Sequence, residues 1–166
     1  MSMGSEHTGF SHLDAKGDAR MVDVSAKQVS ARQATATGFV ALSRACVAAL
    51  RAGDVPKGDA LAVARIAGIM GAKRTPDLVP LCHPIALHGV TVDLAVRDRG
   101  VAITAVTRTA DRTGVEMEAL TAVTAAALAL VDMVKALDPG ATVTDVRVEE
   151  KLGGKTGAWR REEGDR

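Results

Sequence analysis

The chain has 166 residues, of which 47% are hydrophobic and 25% charged, and its formal net charge is +1. This balance is typical of one folded domain with a sizeable core, and it excludes a disordered or fibrous protein. The near-zero charge gives no electrostatic case for nucleic acid or an anionic membrane, and the 2% of aromatic residues leaves few platforms for stacking RNA bases.

The N-terminal segment mixes Gly, Ser, His and Asp without periodicity, which predicts a flexible arm over residues 1–18. It lacks the apolar stretch of a targeting signal. The chain has only two cysteines, Cys46 and Cys82, and their wide spacing indicates a reducing compartment. We therefore expect a cytoplasmic protein.

The segment after the arm predicts extended structure. Residues 33–42 favour a strand that leads into a helix, because Thr, Phe and Val favour strands. Short extended segments are also expected around four apolar residues upstream: Met21, Val22, Val24 and Val29.

Two helices are expected next. Ser43 is a candidate N-cap for a helix over residues 44–51. Asp59 can cap a second helix over residues 60–73, and residues 74–77 stop that helix because they contain a proline.

The second half of the chain predicts a hairpin, a long helix and a strand. Residues 87–96 and 101–108 form two strand-like runs, and residues 97–100 between them suit a hairpin turn. An alanine- and leucine-rich helix is expected over residues 115–137, followed by a last strand over residues 142–150.

Together these elements predict an α+β fold with helices packed on one face of a mainly antiparallel sheet. The longest apolar run, residues 119–131, is shorter than the roughly 20 residues of a membrane span, so it predicts a buried helix. We expect no membrane span, and residues 158–166 are expected to form a flexible tail.

Charged side chains stand out within this apolar helix. Asp132 and Lys135 share a helix face, whereas Glu118 lies about 21 Å from Asp132 along the helix axis. Either the ligand is elongated or two chains together complete one site. A surface ion pair would also explain Asp132 and Lys135, and the helix dipole would explain Glu116 and Glu118.

Basic residues, some of them beside glycines, are candidates for holding phosphate groups, among them Lys57, Lys73, Lys151 and Lys155. His83 lies in a Pro-Leu-Cys-His-Pro segment, where it is either a fixed donor to an anion or an ordinary loop histidine. The spacing of His and Cys residues does not predict a zinc site.

Six short segments carry a more specific signal, and they occur in this order: 21–27 (Met-Val-Asp-Val-Ser-Ala-Lys), 57–59 (Lys-Gly-Asp), 64–69 (Ala-Arg-Ile-Ala-Gly-Ile), 80–84 (Pro-Leu-Cys-His-Pro), 113–122 (Thr-Gly-Val-Glu-Met-Glu-Ala-Leu-Thr-Ala) and 132–133 with 135–136 (Asp-Met and Lys-Ala). In order and spacing, they resemble the MoaC family of cyclic pyranopterin monophosphate synthases, which act in molybdenum cofactor biosynthesis. The resemblance covers about residues 13–157.

The resemblance implies a ferredoxin-like α+β fold, with residues 19–157 as a single catalytic domain. It also implies a homohexamer, built as a trimer of dimers, with active sites at subunit interfaces. The family reaction is that of a lyase. It converts 3′,8-cyclo-7,8-dihydro-GTP, made by an upstream radical GTP cyclase, to cyclic pyranopterin monophosphate and diphosphate.

The resemblance also implies roles for individual residues. Asp132 and Lys135 would be the catalytic acid–base pair, and Lys57 would join them in proton transfer. The loop residues Leu81, Cys82 and His83 would line the substrate site. The substrate-binding set further includes Glu116, Met117, Glu118, Lys73, Lys151 and Lys155, of which the three lysines would neutralise diphosphate.

No metal site or resident cofactor is expected, although a Mg²⁺ ion could accompany the triphosphate. The chain has Val131 and Val134 where other family members usually carry an aromatic residue and a cysteine. A second hypothesis is a non-catalytic accessory subunit that binds the cyclised nucleotide, since such a protein would need the same lysines. Only an enzyme would need Asp132 and Lys135 as proton carriers.

Overall fold

The computed structural model describes residues 11–162 and 164. Its strands form one sheet in which every neighbouring pair is antiparallel. The strands are β1 (Ser30–Ala41), β2 (Gly89–Arg97), β3 (Gly100–Asp111), β4 (Thr142–Leu152) and β5 (Trp159–Arg160). Their order across the sheet is β2-β3-β1-β4-β5.

The described residues also form four helices: α1 (Arg44–Ala52), α2 (Ala60–Lys73), α3 (Thr75–Leu78) and α4 (Glu116–Val134). The long helix α4 lies over β1, β3 and β4, while α2 packs beside α4 and over β2. The chain order β1-α2-β2-β3-α4-β4, with β1 and β3 at the centre, is the ferredoxin-like arrangement. The expected α+β fold is therefore confirmed.

The core lies between the sheet and the two long helices. Alternate residues of β1, namely Ala34, Ala36 and Val40, are buried, as the two-residue period of a strand requires. Helix α4 has the length and hydropathy of a membrane span, but 56% of that window is buried inside the protein. This burial agrees with the core helix expected from the sequence.

Both helix caps predicted from the sequence are confirmed. Ser43 accepts a hydrogen bond from the backbone nitrogen of Cys46 at 3.2 Å, and Asp59 accepts one from Ala62 at 3.0 Å. These side chains satisfy backbone donors that the first helical turn leaves unpaired. The predicted hairpin is also present, with Asp98 and Arg99 between β2 and β3.

The prediction of short extended segments in residues 21–29 is wrong, since none of these residues forms a strand. One strand, β1, precedes α1 in the described chain. Residues 21–29 instead form a loop held by side chains: the His83 ring donates to the Val22 carbonyl, and Arg112 donates to the Lys27 carbonyl. Side-chain contacts of this kind cannot be inferred from local apolar patterns.

Several element boundaries differ from the sequence prediction, and the regions that follow α2 and α4 show why. Helix α2 ends at Lys73 as expected, but residues 75–78 then form α3, because a proline is tolerated in the first helical turn. Helix α4 ends at Val134, and residues 135–137 form a hydrogen-bonded turn in which Leu137 donates to the Val134 carbonyl. Helix ends commonly tighten in this way.

The chain ends were both expected to be flexible. Residues 1–10 lie outside the described residues, and Leu13 pairs with Ala19 in an isolated bridge. Within the expected tail, residues 159–160 pair with β4 as β5. The proposed boundaries of the catalytic domain, residues 19–157, stay a prediction.

Candidate active site

The predicted site residues lie in two groups at opposite ends of α4. Glu116 and Glu118 are in its first turn, whereas Asp132 is near its C-terminal end and Lys135 directly follows it. At 1.5 Å per residue, about 21 Å of helix separates Glu118 from Asp132. Within one chain, the two groups therefore form separate sites.

The first group is a carboxylate between two lysines, Lys57, Asp132 and Lys135, which we call the Lys-Asp-Lys triad. Lys135 Nζ donates to Asp132 Oδ1 at 2.7 Å, and Lys57 Nζ donates to Asp132 Oδ2 at 2.9 Å. The hydrogen bonds from Lys135 and then Lys57 lower the pKa of Asp132 from 3.8 to about 2. All three side chains are about half exposed, so the triad is accessible to an incoming molecule.

Packing of α2 against α4 assembles this triad. Asp132 and Lys135 are three residues apart, which places them on one helix face. Lys57 lies in the turn before α2, where Gly58 adopts a positive φ of 103° and Asp59 caps the helix. The start of α2 thus meets the end of α4, and Lys57 reaches the free oxygen of Asp132.

The second group is built around a buried carboxylate at the other end of α4. Glu118 is 2% exposed, and Cys82 Sγ donates to its Oε1 at 3.6 Å. Glu118 Oε2 has no hydrogen-bond partner among the described residues. Burial raises the pKa of Glu118.

The same burial, together with the Glu118 carboxylate, raises the pKa of the Cys82 thiol to about 11. A thiol with this pKa is protonated at neutral pH, and the thiolate is the nucleophilic form. Cys82 is therefore a hydrogen-bond donor in this site, and its environment does not favour a catalytic nucleophile.

A depression of about 460 Å³, which we call the apolar cleft, opens beside Cys82. Its volume is within the range of small-molecule sites. His83 Nε2 donates to the Val22 carbonyl at 2.5 Å, which fixes the histidine ring at the cleft wall. The lining includes apolar and polarizable side chains from three parts of the chain: Val22, Val24, Leu81, Cys82, His83 and Met117.

A second depression of about 210 Å³, the cationic cleft, is lined by four positively charged side chains: Lys27, Arg32, Lys151 and Lys155. One carboxylate lies among them, since Glu116 Oε1 is 3.6 Å from Lys151 Nζ. The two clefts share Lys27, Gly114 and Glu116 in their walls. We call these two adjoining clefts together the elongated depression, which is apolar at one end and positively charged at the other.

Glycines bring the backbone close to the cationic cleft. A Cβ at Gly153 would lie 2.1 Å from the Ala31 carbonyl oxygen, and Gly153 also has a positive φ of 88°. A Cβ at Gly114 would lie 1.9 Å from Glu116 Oε2. Larger residues at these positions would displace either the start of β1 at Ala31 or the Glu116 carboxylate.

The structure brings most of the predicted residues together, but in two places. The triad holds the three predicted catalytic residues. The elongated depression and its buried wall hold eight of the nine predicted substrate residues: Leu81, Cys82, His83, Glu116, Met117, Glu118, Lys151 and Lys155. Lys73 is the exception, because it lies exposed in the last turn of α2 and lines neither cleft.

Two cations of the cationic cleft, Lys27 and Arg32, were absent from the predicted site. The sequence could have indicated Arg32, because it lies on the same face of β1 as the buried residues Ala34 and Ala36. A charged residue on the core-facing side of a strand is expensive unless it has a function. Lys27 lies within one of the six matching segments. Its loop has no helical or strand periodicity, so the sequence does not indicate where the Lys27 side chain points.

Within residues 11–162 and 164, the structure places no three His, Cys, Asp or Glu side chains close enough together to hold a metal ion. Cys82 and His83, although adjacent, therefore have no third described ligand of these types.

Comparison with known proteins gives a family match across both groups of site residues. Residues 21–154 match the model described as the MoaC family. A cyclic pyranopterin monophosphate synthase of Streptomyces coelicolor is 66% identical over 152 residues, which cover 92% of this chain and 89% of that protein. One from a Nocardioides species is 62% identical over 155 residues, covering 92% of this chain and 95% of that protein.

A third relative, cyclic pyranopterin monophosphate synthase 2 of Mycobacterium tuberculosis, is 56% identical over 152 residues. These cover 92% of this chain and 91% of that relative. Since the family model spans the triad and most of the elongated depression, the chain belongs to the MoaC family.

Proposed function

We propose that this chain is a lyase that converts 3′,8-cyclo-7,8-dihydro-GTP to cyclic pyranopterin monophosphate and diphosphate in molybdenum cofactor biosynthesis. The names of the relatives support this activity. The observation that carries the proposal is the elongated depression, with an apolar end and an end lined by four cations. A nucleotide-derived molecule has the matching chemistry, since it carries a flat ring system at one end and phosphates at the other.

At the cationic end, Lys27, Arg32, Lys151 and Lys155 are the proposed ligands of the triphosphate. Formation of the cyclic phosphate requires a substrate hydroxyl to bond to the α-phosphorus while the bond to the bridging oxygen of the β-phosphate breaks. The hydroxyl proton passes to a base, and the departing diphosphate takes the bridging oxygen with its electron pair. Cations around the leaving oxygens stabilise the charge that develops there.

At the apolar end, Cys82, His83, Met117 and Glu118 are the proposed contacts of the ring system. The unpartnered Glu118 Oε2 is suited to accept a hydrogen bond from a ring N–H group of the substrate. Asp132 with Lys57 and Lys135 would carry the protons that rearrangement of the guanine-derived ring requires.

The separation of the two groups supports a site shared by two chains. Neither end of α4 can reach the other, because about 21 Å of helix lies between them. An exposed apolar face runs along α2 and α4, and its largest side chains include Ile66 at 59% and Leu128 at 62% exposed. Two copies packed antiparallel along this face would place the triad of one chain near the elongated depression of the other.

We therefore propose a homo-oligomer, with a hexamer formed as a trimer of dimers as the expected assembly. A cytoplasmic location and a radical GTP cyclase that supplies the substrate belong to the same proposal. We expect no resident cofactor, and participation of Mg²⁺ with the triphosphate stays a prediction, which assays with and without EDTA would test.

The activity is tested by incubation with 3′,8-cyclo-7,8-dihydro-GTP, followed by measurement of diphosphate and of the oxidised, fluorescent pterin. We expect Lys135→Ala to keep the fold and to lower turnover by at least about 100-fold, because general acid–base catalysis contributes about that much. Lys16→Ala, at an exposed lysine in the N-terminal turn, is the matched control. Unchanged diphosphate release by Lys135→Ala would eliminate its catalytic role, and binding without turnover by the wild type would favour the accessory subunit.

The shared site is tested by mixing Lys135→Ala with Lys151→Ala after reversible dissociation. A mixed dimer has one site with both substitutions and one site with neither, so random pairing should restore about a quarter of wild-type activity. If each chain held a complete site of its own, the mixture would remain as inactive as the separate variants.

A further inference from the structure

The loop of residues 21–29 contributes to both ends of the depression although it belongs to no strand. Val22 and Val24 line the apolar cleft, and Lys27 lines both clefts. Two side chains from elsewhere in the described chain hydrogen-bond the backbone of this loop: His83 at Val22 and Arg112 at Lys27. The backbone of Lys27 is thus held twice, by Arg112 at its carbonyl and by the Val24 carbonyl, which accepts from its N–H.

Arg112 lies in the connection between β3 and α4, and its Nε donates to the Lys27 carbonyl oxygen at 2.9 Å. Its own backbone nitrogen donates to Asp111 Oδ1 at 2.7 Å, which fixes this connection locally. Arg112 lines neither the apolar nor the cationic cleft. The Arg112 side chain can thus influence a ligand in the depression through the loop that it holds.

The same connection also holds the second unpredicted cation. Arg32 Nε donates to the Asp111 carbonyl at 3.0 Å, and Arg32 Nη2 donates to the Arg112 carbonyl at 3.3 Å. Residues 111–112 are consequently the common anchor of Lys27 and Arg32, which come from a loop and from β1. A pair of cations held at a fixed separation binds a polyanion with less loss of conformational entropy than two mobile ones.

We propose that Arg112 is a positioning residue, which holds the Lys27 backbone so that the Lys27 ammonium faces the diphosphate end of the substrate. This inference rests on the proposed function for the identity of the ligand. The Arg112 side chain acts through its hydrogen bond to the Lys27 carbonyl, so we expect its effect on ligand binding to depend on the Lys27 side chain.

The test is a double-mutant cycle read out by calorimetric binding of inorganic diphosphate. We expect Arg112→Gln and Lys27→Met each to weaken diphosphate binding by about tenfold, and the double variant to be little weaker than Lys27→Met alone. Arg112→Lys, which keeps a cationic donor, should recover part of the affinity. Arg51→Gln, at an exposed arginine paired with Asp98 far from the depression, should bind as the wild type does.

Full additivity in the double variant would overturn the proposal, because Arg112 would then act independently of Lys27. Unchanged affinity of Arg112→Gln, or no binding of diphosphate by the wild type, would overturn it as well. If Arg112→Gln does not fold, the cycle is built on Arg112→Lys, with the same criterion of coupling to Lys27. Turnover of the cyclised nucleotide by the wild type is measured separately, so coupling without turnover would reject the proposed function and leave this inference standing.

Discussion

Glu118 and Asp132 are carboxylates of the same helix with opposite electrostatic environments. Burial raises the pKa of Glu118, and two lysines lower the pKa of Asp132 to about 2. Divergent pKa values of this kind are typical of sites in which one carboxyl group binds or donates while another stays ionised. Asp132 is therefore ionised near neutral pH, which is the form that can accept a proton, and the hydrogen-bonded Lys57 and Lys135 are its neighbouring donors.

We expect Glu118→Gln to change the pH dependence of stability. Because the pKa of Glu118 in the folded protein lies above its ordinary value of 4.5, its favourable contribution is present below that pH and is lost as pH rises through the folded-state pKa. The variant should thus have a larger free energy of unfolding than the wild type at pH 8 and a nearly equal one at pH 4. Urea unfolding at fixed protein concentration measures both.

Exposed Glu162→Gln is the control for that experiment, and it should leave the pH profile of unfolding unchanged. The opposite result would be a Glu118→Gln variant that loses stability relative to the wild type as pH rises from 4 to 8. It would show that a partner in the folded protein stabilises the ionised Glu118 carboxylate.

The raised pKa of Cys82 predicts slow alkylation. With a pKa of about 11, Cys82 holds about two orders of magnitude less thiolate at pH 8 than an ordinary cysteine. Iodoacetamide should therefore modify Cys82 in the native protein far more slowly than in protein unfolded by urea, as followed by peptide mass spectrometry. Modification at the same rate in both states would mean that the thiol is ionised and available as a nucleophile.

At the scale of elements, the contact between α2 and α4 positions the Lys-Asp-Lys triad. Two glycines of α2 allow this contact: a Cβ at Gly71 would lie 2.5 Å from the Ala125 Cβ, and one at Gly68 would lie 2.9 Å from the Ala122 carbonyl oxygen. Such distances are shorter than van der Waals contact. The helices can lie this close only because the side chains are absent.

Gly71→Ala should therefore destabilise the protein. The overpacking costs about 1–3 kcal/mol, and the gain in helix propensity when glycine is replaced by alanine offsets only about 1 kcal/mol of that cost. The urea midpoint measures the net loss. The double variant Gly71→Ala with Ala125→Gly moves the methyl group to the other side of the contact and should recover most of the stability. If Gly71→Ala alone were as stable as the wild type, the two helices could separate at no cost.

At the scale of the whole molecule, the proposed shared site explains the separation of the triad from the elongated depression, and under that proposal activity requires assembly. The exposed apolar face of α2 and α4 is the surface available to bring a second copy into place. Its large side chains lie on the side of the helices that does not pack on the sheet. Exposed apolar surface of this kind is typical of protein–protein contact.

Leu128→Glu should consequently lower both the molecular mass in solution and the rate of diphosphate release, because it places a charge within the proposed contact. Light scattering after size-exclusion chromatography measures the mass. Ala48→Glu adds the same charge on the exposed side of α1 and should leave both properties unchanged. A fully active monomeric Leu128→Glu protein would contradict the shared site.

The sequence by itself determined the features that depend on local physical chemistry. Ser43 and Asp59 cap their helices, residues 98–99 turn the hairpin, and Asp132 pairs with Lys135, because each interaction involves residues only a few positions apart. The burial of alternate residues in β1 likewise follows from the two-residue period of a strand, whereas α4 ends three residues before its expected end at residue 137. The resemblance to the MoaC family added residue roles that local patterns could not supply.

Only the tertiary structure decided which distant groups meet. Lys57 reaches Asp132, Cys82 donates to Glu118, and Arg112 holds the Lys27 loop, and each of these contacts joins residues remote in sequence. Local propensities contain no information about such distances, because the packing of helices on the sheet sets them. For the same reason, the neutral thiol of Cys82 and the low pKa of Asp132 followed from burial and neighbouring charge, which exist only once the chain is folded.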